Sequence, residues 1–329
     1  MSPVPELNVD LNAAPDRRWE ELARWRDPAR KLLAFYVRDL GGFGRFAPVL
    51  RDYRDAFVDA EYVEEMRGVA RVLDADEDEV ALANLYYDAM KLVLAGGIGC
   101  TAFAVDTPAG PLHARNLDWT TADGLLASET LLVNFRRGPG EPVYRTVGWP
   151  GFIGCFSGVA PGRFAVTLNA VLSDDPPELA TPITFLLRST LERATNFESA
   201  VSVLRDTPVA SDSLLLVTGT AAGQMAVVER APRRAAVRLP HAGMVLATND
   251  YRALSVSGDS PTIRSSLAQT SCGRYQRAQQ LVTRSPPGDP SACLDVLRDP
   301  HVKMGITVQH MVLSAARGTI SVAIPDSGG

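Results

Sequence analysis

Two periodicities divide the chain. Between residues 15 and 95 apolar positions recur at helical spacing, with charges on the opposite side. Trp19, Leu22, Ala23 and Trp25 open an amphipathic segment, and Leu32, Leu33, Phe35, Tyr36, Val37 and Leu40 continue it until Gly41-Gly42 break the pattern. Tyr62, Met66, Val69, Val72 and Leu73 share one side of residues 61–73. Asp76 is placed to cap the next helix, with Glu79 three residues on as its capping-box partner. That helix carries Val80, Leu82, Leu85, Tyr86, Ala89 and Met90 and runs into Gly96, Gly97 and Gly99.

From residue 100 the period becomes two. Strands are expected at 131–136, 143–147, 163–169, 213–218, 224–229, 235–239, 244–248, 307–314 and 319–324. Helices are expected at 183–194, at 197–205 with Thr195 or Asn196 as cap, at 275–283 and near 292–297. The Ser-rich stretch 255–271 reads as a loop, and no internal repeat is visible. A helical front and a strand-rich remainder predict an α+β fold, with paired antiparallel sheets under helices.

The stretch from Gly96 to Trp119 concentrates candidate chemistry. The apolar run Thr101–Val105, a turn at Asp106–Gly110 and a second run ending Arg115-Asn116-Leu117-Asp118 predict a hairpin. It would bring Cys100, at the start of the first strand, close to Arg115 and Asp118, at the end of the second. A nucleophile, a cation and a carboxylate then lie within side-chain reach.

Composition narrows the partners. In 329 residues, 46% are hydrophobic and 22% charged, ordinary values for a globular chain with a sizeable core. The net charge of -5 leaves no basic footprint for nucleic acid. Only Lys31, Lys91 and Lys303 are lysines, so the many arginines reflect a composition bias. The first nineteen residues hold no apolar core of signal-peptide length, no stretch approaches the length of a membrane span, and Asn-x-Ser/Thr acceptors are absent. Cys100, Cys155, Cys272 and Cys293 lack Cys-x-x-Cys spacing, and His113, His241, His301 and His310 share no ligand spacing. Neither a metal nor a cofactor is expected, and a reducing, cytoplasmic setting is.

An N-terminal nucleophile (Ntn) hydrolase needs a Ser, Thr or Cys that becomes the first residue of a new chain, so that its own α-amine serves as base. That amine has an ordinary pKa of about 8 and a thiol one of about 8.5, near the working range for proton transfer. Gly99 before Cys100, the strand after it and the Arg115/Asp118 pair meet these needs. Taken alone, an Arg and an Asp three apart are more often a surface ion pair. His113 falls on the same strand face as Arg115 and is read as structural. Gly96-Gly97-Ile98-Gly99 does not complete a dinucleotide-binding pattern, because a strand follows it.

Cys100-Thr101, the apolar strand, the Gly-containing turn and Arg115-Asn116-Leu117-Asp118-Trp119 resemble the choloylglycine-hydrolase superfamily of Ntn hydrolases. Within it the chain is most similar to the acid ceramidase and N-acylethanolamine-hydrolysing acid amidase branch. Leu7–Leu11 with Arg18-Trp19, Glu64–Gly68, Asn84–Tyr87, Asn196–Glu198 with Thr207-Pro208, and Thr248-Asn249 extend the likeness. The resemblance implies an αββα sandwich of two stacked antiparallel sheets, with a helical N-terminal segment. It implies self-cleavage between Gly99 and Cys100, leaving 1–99 as a small subunit that stays associated with 100–329, the catalytic large one. Cys100 would attack the amide carbonyl, Asp118 would hold the new amine, and Arg115 would polarise the nucleophile region and orient Asp118. Asn169 matches an oxyanion-hole position, Asn249 the second asparagine of that site and Arg274 a late active-site arginine. The chain departs from the family in a Cys100–Arg115 spacing one residue shorter, in Trp119 replacing a smaller aromatic, and in a long loop between Asn249 and Arg274.

The implied activity is a self-processing cysteine amidase for small N-acyl amides. Two other readings stay open: an acyltransferase sharing the thioester, and a non-catalytic binding protein.

Overall fold

The computed structural model describes residues 4–40, 47–93, 98–120, 124–173, 175–176, 178–254 and 266–325. Along the chain the described strands are β1 (Glu6–Asp10), β2 (Ile98–Val105), β3 (Leu112–Trp119), β4 (Leu131–Arg136), β5 (Tyr144–Gly148), β6 (Ser157–Ala160) and β7 (Phe164–Asn169). They continue with β8 (Ser213–Thr218), β9 (Met225–Arg230), β10 (Ala235–Arg238), β11 (Met244–Ala247), β12 (Thr307–Ser314) and β13 (Thr319–Ala323). Helices α1 (Arg26–Asp39), α2 (Ala47–Phe57), α3 (Ala60–Leu73), α4 (Glu77–Asn84) and α5 (Tyr86–Val93) precede β2. Later come α6 (Leu125–Ser128), α7 (Ile183–Arg193), α8 (Phe197–Asp206), α9 (Ser266–Arg284) and α10 (Pro290–Arg298).

The strands form two sheets. One has the order β1-β4-β5-β6-β7-β8-β9-β10, the other β11-β2-β3-β12-β13. All pairings are antiparallel except β1 with β4. Alternation along β2 shows how the sheets stack. Ala102 and Ala104 pack inward with Leu214, Leu216 and Val227 of the larger sheet, while Phe103 and Val105 pack outward with Val282, Cys293 and Leu297 of α9 and α10. On the far side of the larger sheet α7 lies against β6, and α8 against β9. The expected αββα sandwich is the observed fold, with the helical segment in front of it.

The local signals behave as their chemistry demands. Asp76 accepts from the backbone N–H of Asp78 and Glu79, without the reciprocal Glu79 bond of the expected capping box, and Asn196 closes a capping box with Ser199. In the β2–β3 turn Gly110 adopts φ +93°, and a Cβ there would lie 2.5 Å from the Thr220 carbonyl oxygen. Two strands escape the sequence pattern. β1 is five residues long and its partner β4 lies over a hundred positions away; β6 is Ser-Gly-Val-Ala, without the β-branched or aromatic run that marks a strand. The expected loop 255–271 is corrected in part, because residues from Ser266 onward belong to α9. Its first part, the Gly41-Gly42 break and the Gly96-Gly97 approach lie outside the described residues.

Motifs of the first 99 residues anchor that segment to α7 and to the connections between later strands. Glu65 is fully buried and meets Arg188 of α7, with Nη1 at 2.7 Å from Oε2. The Asn84 amide donates to the Gly151 carbonyl and accepts from the Ile153 N–H, and Tyr87 donates to the Asp212 carbonyl. Gly68 of α3 is needed for close approach. A Cβ there would sit 2.1 Å from the carbonyl oxygen of Asp16 in the turn that carries Arg18 and Trp19. Gly68→Ala is therefore expected to destabilise the protein by about 1–3 kcal/mol despite alanine's better helix propensity. A urea midpoint equal to or above that of the parent would contradict it.

Candidate active site

The hairpin register sorts the site residues onto two faces. Cys100 stands opposite Leu117, Ala102 opposite Arg115 and Ala104 opposite His113, so the side chains of Cys100, Arg115 and His113 share the face turned to the larger sheet. Gly99 stands opposite Asp118 and Thr101 opposite Asn116, so Thr101, Asn116 and Asp118 point to the α9–α10 layer. Cys100, Arg115 and Asp118 are all fully buried, which removes the surface ion-pair reading.

On the inner face, Arg115 Nη2 lies 3.2 Å from Cys100 Sγ and also donates to the Leu168 carbonyl, while Nη1 donates to Ser157 Oγ at 2.6 Å. The guanidinium is thus held by β6 and β7 against the sulfur. The Cys100 backbone N–H donates to Asn249 Oδ1 at 3.2 Å. Asn249 Oδ1 accepts a second hydrogen bond, 2.6 Å, from Arg274 Nη2, and Asn249 Nδ2 donates to the Ala170 carbonyl at 2.7 Å. Arg274 Nη1 reaches the Cys100 carbonyl at 2.6 Å and Thr101 Oγ1 at 2.8 Å. Burial pulls the Arg274 guanidinium below its ordinary pKa, against the opposing charges of Asp118, Cys100 and Asp250.

The structure brings Cys100, Arg115, Asn249 and Arg274 into direct contact, with Asp118 beside Gly99. Two expected details differ. Arg115 and Asp118 are three residues apart on a strand and so face opposite ways. The hydrogen bond that orients Asp118 comes instead from Thr307 Oγ1, 2.5 Å from Oδ1. Asn169 spends its amide N–H groups on the carbonyls of Ala247 and Thr248, both at 3.1 Å, and so ties β7 to the end of β11. As an oxyanion donor it would first have to give up one of these bonds.

Burial raises the Asp118 carboxyl above the ordinary range, opposed by the Thr307 hydrogen bond and the charges of Arg274 and Arg115. His113 is bracketed by Thr167 at 2.8 Å and Thr218 at 3.3 Å, and burial lowers its pKa to about 3, with the Arg115 charge adding to the effect. Burial thus favours its neutral form, in keeping with the structural role expected of it. Arg115 Nε, Asp118 Oδ2 and Asn169 Oδ1 are buried without a hydrogen-bond partner among the described residues. Trp119 packs on Tyr86, Tyr36, Trp149 and Phe156.

Ser157, Thr307 and Ser271, which donates to Thr248 and accepts from the Asn249 N–H, were not singled out from the sequence. Ser157 lies in the unmarked strand β6 and Ser271 in the stretch read as loop. Thr307 opens an expected strand, but its pairing partner could not be read. Among the described residues no three His, Cys, Asp or Glu side chains gather as a metal site.

Two facing antiparallel sheets between helical layers define an Ntn-hydrolase sandwich; Cys100, expected at the start of a strand, is the third residue of β2, because Ile98 and Gly99 already pair with Trp119 and Asp118. A solved Caenorhabditis elegans N-acylethanolamine-hydrolyzing acid amidase ortholog matches the fold with a TM-score of 0.58 and 23% identity, over 69% of this chain and 100% of that one. The sequence pattern of the acyl-coenzyme A:6-aminopenicillanic acid acyl-transferase family covers residues 105–327, and the chain belongs to that family. Within the superfamily it falls on the acid ceramidase and acid amidase branch. Acid ceramidase of Balaenoptera acutorostrata scammoni is 25% identical over 260 residues, 69% of this chain and 64% of that protein. The N-acylethanolamine-hydrolyzing acid amidase of Cavia porcellus is 29% identical over 246 residues, 69% of this chain and 65% of that protein. The matched region thus spans slightly under two-thirds of these relatives.

Proposed function

We propose that this chain is a self-processing cysteine amidase that opens linear amide bonds of N-acyl amides through a thioester on Cys100. The observation that carries the reading is the double hold on one residue: Sγ against Arg115 and backbone nitrogen on Asn249 Oδ1. The nitrogen held there is the one that self-cleavage would turn into the catalytic base. In the processing step Sγ attacks the Gly99 carbonyl and the acyl group shifts from nitrogen to sulfur. Water then hydrolyses that ester, giving a Gly99 carboxylate and a free Cys100 amine. In turnover the amine takes the thiol proton, sulfur adds to the substrate carbonyl, and the C–N bond breaks as the proton passes to the leaving amine. Water then releases the acid.

Arg115 places a cation where negative charge develops, and Asn249 acts first as an acceptor for the Cys100 nitrogen. The names of the amidase and ceramidase relatives support an acyl amide as substrate. Residues 1–99 and 100–329 would stay together after cleavage through β1–β4 pairing, Glu65–Arg188, Asn84 and Tyr87. We place the enzyme in the cytoplasm. Four unpaired cysteines are consistent with that, and among the described residues no helix is long and apolar enough to cross a membrane. Fractionation of the tagged protein tests the location.

Intact-mass spectrometry of the purified protein tests the chemistry. Two chains separated at the Gly99–Cys100 bond are expected, with an acyl adduct on the 100–329 chain after brief exposure to an N-acyl amide. An uncleaved chain without adduct would overturn the reading. The family's acyltransferase description favours a second outcome from the same thioester, capture of the acyl group by an added amine. Product partition between water and amine separates the two.

A further inference from the structure

The β12–β3 ladder is irregular at one point. Reading backward from Leu313 opposite His113, the pairing is regular to Gln309 opposite Leu117, and then Thr307 rather than Val308 stands opposite Asp118. β12 therefore carries one extra residue, a β-bulge. In an unbroken ladder Val308 would face Asp118 and an apolar side chain would lie against the buried carboxylate. The bulge sends Val308 into the hydrophobic core and brings a hydroxyl to Asp118 in its place.

Thr307 is fixed for this contact. Its Oγ1 accepts from the Met304 N–H at 3.0 Å, its own N–H donates to the Met304 carbonyl at 3.1 Å, and the Trp119 N–H donates to the Ile306 carbonyl at 2.8 Å. With an oxygen lone pair committed to Met304, the hydroxyl's single proton serves Asp118 Oδ1. The other carboxylate oxygen, Oδ2, is buried without a partner among the described residues, in a side chain registered against Gly99.

We propose that Thr307, delivered by the β12 bulge, is the positioning residue that aims Asp118 at the Gly99–Cys100 peptide and, after cleavage, at the Cys100 amine. The inference rests on the self-processing reading above, because only cleavage creates that amine. Thr307 holds one oxygen so that the other is presented to an ammonium group. Among the described residues the charges acting on Asp118 are Arg274 from α9 and Arg115 on its own strand; Cys100 of β2 and Asp250 act on Arg274 in turn, and His310 of β12 is bonded to the neighbouring Asn116.

The test compares Thr307→Val, which keeps the shape and loses the hydroxyl, with Thr307→Ser, which keeps the hydroxyl. Three readouts are needed: the rate of self-cleavage, the acid limb of kcat/KM, and the Asp118 carboxyl titration by 13C NMR, assigned with Asp118→Asn. The sign follows from the bond. A hydrogen bond to the ionised form lowers a carboxyl pKa, so losing it raises that pKa and activity is lost at higher pH on acidification. In Thr307→Val the acid limb and the titration should both move up by about one pH unit, and self-cleavage should slow about tenfold or more. Thr307→Ser should track the parent in all three. Equal impairment of both variants, or an unmoved titration in Thr307→Val, would overturn the proposal. A parent protein that neither cleaves nor turns over overturns the self-processing reading instead, while the NMR arm still reports whether Thr307 governs Asp118.

Discussion

Cys100→Ala is expected to remain one 35.4 kDa chain and to lose turnover by on the order of 10^5-fold or more. Both effects follow because one atom is asked to do two jobs: Sγ attacks the Gly99 carbonyl during processing and the substrate carbonyl during turnover. The substitution removes that atom from a fully buried position whose backbone nitrogen stays on Asn249, so the fold should survive with a small packing loss. Mass spectrometry and circular dichroism together make the result decisive. A folded, uncleaved and inert Cys100→Ala protein is the expected outcome. A Cys100→Ala chain that still separates into two pieces at Gly99 would show that another group performs the cleavage. Thr101 would then be the first neighbour to replace, since its hydroxyl is buried beside Arg274.

The second large effect concerns stability. Glu65 accepts from Trp19 Nε1 at 2.7 Å, from Arg18 Nη1 at 2.9 Å and from Arg188 Nη2 at 2.7 Å. Arg188 is fully buried and lies over the rings of Tyr62 and Phe135, 4.4 and 4.8 Å from their centroids, with its Nε donating to Tyr144. Burial alone would push the Glu65 carboxyl up. The Arg188 charge and the hydrogen bonds from Arg188, Trp19 and Arg18 hold it below its ordinary value. Glu65→Ala leaves a guanidinium buried without its counter-charge, and about 3–5 kcal/mol of stability should be lost at neutral pH. Because the folded carboxyl titrates lower than the unfolded one, its contribution is present above the unfolded pKa of about 4.3 and fades as pH falls through the folded value. Urea unfolding at pH 7 and pH 4 checks both statements: the gap between parent and variant should be wide at pH 7 and narrower at pH 4. Glu65 lies in the first 99 residues and Arg188 in the remainder, so the processed variant should also release its small fragment on size exclusion. A gap below about 1 kcal/mol, with the fragments still together, would show that hydrophobic packing alone holds this joint.

Much of the site was readable because its densest part is local. Cys100, Arg115 and Asp118 lie within one hairpin, and the alternation of 101–105 with the turn ending at Gly110 predicts their proximity without any long-range knowledge. The elements with strong periodicity or definite end signals were readable too, such as β4, β8 and β12 and the helices capped by Asp76 and Asn196. β1 and β6 were not, because a short strand of small or mixed residues owes its existence to its neighbours.

What the residues by themselves determined was therefore the order of elements, the hairpin and the identity of the reactive groups, all consequences of interactions a few positions apart. Asn249 and Arg274 were named by resemblance, but their meeting on the Cys100 nitrogen and carbonyl depends on how α9 crosses β2. The tertiary structure alone decided that Arg115 is clamped by Ser157 and the Leu168 carbonyl and that Asn169 bonds across to Ala247 and Thr248. It also decided that Thr307, not Arg115, orients Asp118. A single added residue in β12 changes which side chain faces the carboxylate. Strand register is set by the packing of whole sheets, and no local pattern of residues 307–314 specifies their pairing with residues 113–118.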